Sequence, residues 1–170
     1  MKYTTVIVDD KQHCLEVMRR MEEEFQKGNE GFFVRVIQEE PSLVLRVHAV
    51  TILADLGGEA AIPALTDVLL HDPDPLVRHE AAFTMGQIGL TSGIRGLEEA
   101  TLGDKDPIVR HESAAALGSI GSQSAKSTLQ AALKDDDELV KNSAAASLFN
   151  LEFLETFSIG GTARDRAPRP

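Results

Sequence analysis

The sequence predicts an all-α solenoid of stacked helical repeats, and three observations carry that expectation. The phrase VRHEAAFTMGQIG at 77–89 returns as VRHESAAALGSIG at 109–121, flanked by the related LRVHAVTILADLG at 45–57 and VKNSAAASLFNLE at 140–152. The starts at 45, 77, 109 and 140 give spacings of 32, 32 and 31 residues, the length of a helical unit that buries its apolar face only against its neighbours. Between the phrases lie EAAIPALTDVLL, SGIRGLEEATL and QSAKSTLQAALK, shorter amphipathic stretches that supply a partner helix for each unit.

Taken in chain order, the elements follow from their punctuation. Residues 10–27, DKQHCLEVMRRMEEEFQK, form an amphipathic helix ended by GNEG, and FFVRVIQEE runs on toward the first repeat. Residues 1–40 are expected to be a helical N-terminal cap, 41–157 an array of about four helix pairs, and 158–170 a disordered tail of Gly, Pro and Arg with few apolar residues. DPDP at 72–75 and DKDP at 104–107 place Asp74 and Asp106 as N-caps, with Pro75 and Pro107 opening the helices. Gly57, Gly89 and Gly121 are expected to close their helices in a left-handed turn. The start TVIVDD resembles a first strand with an acidic pair, but only helical patterns follow it, so Asp9 or Asp10 reads as a helix cap.

Composition excludes several functions. The chain has 170 residues, a net charge of −10 and no apolar run of 18, so neither a nucleic-acid backbone nor a membrane is an expected partner. The start reaches acidic residues too soon for a signal peptide, and the expected location is cytoplasmic. The one cysteine, Cys14, cannot form an internal disulfide or a cysteine metal cluster and is given no role.

At 3.6 residues per turn, Val77, Ala81, Thr84, Met85 and Ile88 share one face, as do Val109, Ser113, Ala116, Leu117 and Ile120, and this face is the expected core. His79, Glu80, Phe83 and Gly86 fall opposite, like His111, Glu112, Ala115 and Gly118, so each His-Glu pair borders the exposed stripe. Packed helices lie about 8–10 Å apart, so the two pairs form a ladder of two imidazoles and two carboxylates. The flanking units carry Val47-His48 and Asn142-Ser143 instead, which confines the pairs to the middle of the array. Small residues at Gly86, Ala115, Gly118 and Ser119 are expected to leave room above that surface. The nitrogen and oxygen donor set suits iron, zinc or manganese. The plainer alternative is that Glu favours the positive helix end, His is a tolerated surface residue, and duplication copied both. Arg46, Arg78 and Arg110 read as structural, each meeting an aspartate of a neighbouring turn.

The phrases DPDPLVRHEAAFTMGQIG and DKDPIVRHESAAALGSIG resemble the HEAT-like repeats of phycobilin lyases and of deoxyhypusine hydroxylase. That hydroxylase family is a HEAT-repeat diiron oxygenase of two similar halves, each with two His-Glu pairs, and residues 45–154 resemble one half. The resemblance implies that His79, Glu80, His111 and Glu112 are iron ligands. This chain has two pairs where the family uses four, so a homodimer binding two irons would restore the set.

The expected function is therefore a metal-binding HEAT-repeat protein, an iron-dependent monooxygenase that hydroxylates an amine-bearing or protein substrate on its concave face. A metal-free scaffold for protein–protein interaction is the alternative. A chaperone similar to the phycobilin lyases is the third reading, although no aromatic-rich patch favours pigment handling.

Overall fold

The computed structural model describes residues 10–160, the side chains from 157 on excepted. The strand-like start and most of the expected disordered tail lie outside the described residues. Among the described residues nine α-helices carry the fold: α1 (Lys11–Gln26), α2 (Glu30–Glu39), α3 (Leu43–Leu56), α4 (Ile62–His71), α5 (Pro75–Ile88), α6 (Ile94–Gly103), α7 (Pro107–Ile120), α8 (Lys126–Ala132) and α9 (Glu138–Gly160). They form two layers, with α3, α5, α7 and α9 side by side in one and α2, α4, α6 and α8 in the other. The chain is an all-α helical-repeat solenoid of four pairs, with α1 packed against α2 and α3 at its N-terminal end.

The caps explain why these segments start where they do. Asp74 Oδ1 accepts from Leu76 N at 2.9 Å, Asp106 Oδ1 from Ile108 N at 3.1 Å, and Asp137 Oδ1 from Leu139 N at 2.8 Å. Asp10, at the edge of TVIVDD, caps α1 by accepting from Gln12 N at 2.9 Å. Gly89 and Gly121 close α5 and α7 with φ of 73° each, the left-handed turn that L side chains resist. Gly57 departs from that expectation, since its φ is −72° and its backbone is extended. Its glycine is required by crowding instead: a Cβ there would sit 2.4 Å from Leu53 O and 3.0 Å from Ile88 Cδ1.

The expected core face is buried at Val77, Ala81, Thr84, Met85, Val109, Ser113, Ala116 and Leu117, while Ile88 and Ile120 are half-buried. Ala82 and Ala114 are also fully buried. The stripe missed them because each inner helix packs on two flanking helices as well as on its own partner, which widens the buried arc.

Along one edge runs a ladder of buried and partly buried ion pairs. Arg46 Nε donates to Asp72 Oδ2 at 3.0 Å, Arg78 Nε to Asp104 Oδ2 at 2.7 Å, and Arg110 Nε to Asp135 Oδ2 at 2.8 Å. Each arginine also donates to a main-chain carbonyl of the preceding turn, Pro41 O, Asp72 O and Asp104 O respectively. Each aspartate in turn accepts from the backbone two residues on, which shapes the loop that begins the next helix. Charge, capping and register are thus tied into one repeating unit. The Arg110 guanidinium holds the Asp135 carboxyl below its ordinary range.

Candidate functional site

His79 and Glu80 sit in the second turn of α5, and His111 and Glu112 one helix over on α7, where packing of the two helices brings the pairs together. His79 Nε2 lies 3.4 Å from Glu112 Oε2 and His111 Nε2 lies 3.9 Å from the same oxygen, while His79 Nδ1 is 3.5 Å from Glu80 Oε1. Glu112 therefore stands between both imidazoles. The four side chains are 15–25% exposed, so they lie in a shallow trough between helices and are less open than the sequence pattern suggests.

Helix crossing explains the difference. Residues at the border of the exposed stripe face the next inner helix, and each histidine reaches the following unit rather than solvent. His79 meets Glu112, and His111 Nδ1 meets Ser143 Oγ on α9 at 2.5 Å. Ser143 stands in the fourth unit where Glu112 stands in the third, so it was visible as a break in the motif but not as a partner of His111. That contact turns the His111 ring so that Nε2 points toward Glu112. His79 lacks an equivalent anchor: its Nδ1 is buried without a hydrogen-bond partner. The neighbouring Glu112 carboxylate raises the affinity of His79 for its proton above the ordinary value, against the opposing effect of burial, with Glu80 adding to the rise.

The small residues do not all leave the space expected of them. A Cβ on Gly86 would meet Ala116 Cα at 3.0 Å, and one on Gly118 would meet Ser147 Oγ at 2.3 Å, so both glycines serve the close approach of neighbouring inner helices. Ala115 and Ser119 do border open space. With Ser143, Ala146, Phe149 and Asn150 they line a groove of about 310 Å³ between α7 and α9, beside His111. Phe149 forms its outer wall and is 71% exposed.

The donors suit a hard or borderline divalent cation in kind, being imidazole nitrogens and carboxylate oxygens, and one imidazole nitrogen is buried unpartnered. They fall short in number within one chain. Among the described residues no group of three or more His, Cys, Asp or Glu side chains is gathered so as to hold a metal ion. Nor is any helix long and apolar enough to cross a membrane.

A family model of HEAT repeats matches residues 32–102 and 69–149. In structure the chain is similar to human deoxyhypusine hydroxylase, solved in complex with glycerol, with 30% identity and a TM-score of 0.67 over 73% of this chain and 43% of that one. It therefore spans less than half the length of the human hydroxylase. It is also similar to the complex of CpcE and CpcF of phycocyanin lyase from Nostoc sp. PCC7120, with 19% identity and a TM-score of 0.50 over 79% of this chain and 71% of that one, a likeness of fold alone. No curated protein matches the chain by sequence.

Proposed function

The chain belongs to the HEAT-repeat family, and from that premise we propose that it is a metal-binding member, half of a non-haem diiron oxygenase that is completed when two copies face each other. The observation that carries this reading is the approach of His79 and His111, from two neighbouring helices, to one carboxylate oxygen of Glu112, in a chain similar to human deoxyhypusine hydroxylase over 73% of its length. In it, His79 and His111 bind through Nε2 as neutral imidazoles, and Glu80 and Glu112 bind as carboxylates that offset the metal charge. Bound iron would supply the dioxygen chemistry of hydroxylation. Ser143 holds the His111 ring in place through Nδ1, as outer partners of metal-bound histidines do. The net charge of −10 favours a cationic, amine-bearing substrate on the concave face, and the reading includes a cytoplasmic location.

One observation favours a second reading. The His79–Glu112 contact joins α5 to α7 directly, as a structural pair in a scaffold would.

Anaerobic loading with Fe(II), followed by sizing and metal quantification, separates the two. The oxygenase reading expects two irons per dimer, metal-dependent dimerisation, and loss of both irons in His79→Ala, because each metal would draw ligands from both chains. A monomer that binds no iron, or a dimer that keeps its iron after substitution of all four ligands, assigns the protein to the scaffold class.

A further inference from the structure

Opposite in character to the His-Glu trough is the edge formed by the loops that join the helices of each pair. The second residue of each inner helix there is aliphatic and exposed: Val44, Leu76, Ile108 and Leu139 are 42–49% exposed and recur with the period of the repeat. Equivalent positions on parallel packed helices fall about 8–10 Å apart, so the four make a row along the edge. At the same edge Leu102 and Leu133, near the ends of α6 and α8, are 54% and 40% exposed. None of these six belongs to the buried core. Burial of apolar surface is the main favourable term in folding, so a periodic aliphatic row left in water marks an interaction surface.

We propose that this edge docks an amphipathic α-helix with aliphatic residues at heptad spacing and Lys or Arg flanking them. Spacing is the first argument. A helix rises about 10.5 Å per seven residues, which presents one aliphatic side chain to each unit of the row. Charge is the second. The capping carboxylates of Asp74, Asp106 and Asp137 border the row and outnumber Lys105 and Lys134, so basic flanks complement it. A second copy would bring the same carboxylates against themselves, and an anionic lipid surface would meet them with like charge. This docking does not require the metal reading, although Leu76 and Ile108 stand one helical turn before the His-Glu pairs.

The test uses a labelled peptide of about three heptads with leucine once per heptad, lysine on either side and alanine elsewhere, titrated against the full chain by fluorescence anisotropy. The partner variant is Leu76→Glu with Ile108→Glu. Acidic residues are favourable in the first turn of a helix, so it folds, and an unchanged melt verifies this. It adds negative charge while removing apolar contact. Binding weakened about tenfold or more in the variant, and weakened likewise for a peptide of the same composition with its leucine spacing broken, supports the docking. Equal or tighter binding by the variant means that charge alone attracts the peptide and overturns the proposal, as does failure of the wild type to bind. A concentration-dependent dimer that the variant disperses overturns it too, in favour of a second copy. His79→Ala must bind the peptide like wild type, so the outcome is read separately from that of the iron experiment.

Discussion

Arg78 and His79 are adjacent on α5, yet the ladders they belong to treat their charges differently. Arg78 is 3% exposed and donates through Nε and Nη2 to both carboxylate oxygens of Asp104, at 2.7 and 2.9 Å, with Nη1 on Asp72 O. His79 approaches two carboxylates at 3.4 and 3.5 Å and leaves Nδ1 without a hydrogen bond. The arginine ladder repeats three times and ends at Lys141, which pairs within its own helix with Glu138. The histidine ladder covers two units and ends at Ser143. The difference teaches which periodic charges build the solenoid and which it merely carries. A saturated, bidentate and buried pair belongs to the repeat, whereas a half-buried set with unused donors is an addition to it.

Removing Arg78 should break this contrast most severely. Arg78→Ala leaves Asp104 at the buried edge without its partner and frees Asp72 O, so a loss of about 3–5 kcal/mol is expected in chemical denaturation. A loss under about 1 kcal/mol would place the arginine ladder in the same class as exposed ion pairs. The next effect tests packing beside the histidine ladder. In Gly118→Ala the new methyl would meet Ser147 Cβ at 2.6 Å and Cα at 2.9 Å, so α7 and α9 must separate. A cost of about 1–3 kcal/mol is expected from overpacking. That separation also shifts Ser143 away from His111, so a change in the NMR signals of the His111 ring should accompany the lost stability.

The sequence speaks unequally about the two ladders for a physical reason. The fold was legible because the apolar stripe, the Asp-Pro starts and the closing glycines act locally, each within a turn or two of helix. The arginine ladder was legible in part, since Arg46, Arg78 and Arg110 recur with the repeat while their aspartates recur in the loops. The trough was not, because exposure at the border of the stripe depends on how far the next helix leans over it. The spacing of Gly86 and Gly118 reads as open space, and only the packing of α5 on α7 and of α7 on α9 reveals that a neighbour stands close to each. Gly57 reads like Gly89 in sequence, and differs because Ile88 Cδ1 and Leu53 O crowd it.

The smallest expected effect concerns the histidine ladder in the metal-free protein. His79→Ala should cost about 1 kcal/mol or less, because the pair is partly exposed and its contacts are long. The sign of its pH dependence is set by the raised proton affinity of His79, whose ordinary value is 6.5. A group bound more tightly to its proton in the folded state stabilises the fold fully below the unfolded value, and that contribution is lost as pH rises through the folded value. The difference in melting temperature between wild type and His79→Ala should therefore be widest in mildly acidic buffer and shrink toward alkaline pH. Loss through Arg78→Ala should stay constant over the same range, since a guanidinium and a carboxylate both keep their charge there. Melts of the two variants across that range decide the matter: a His79 contribution of several kcal/mol that ignores pH would make the pair a structural member of the repeat, like its neighbour Arg78, and would count against the proposed metal site.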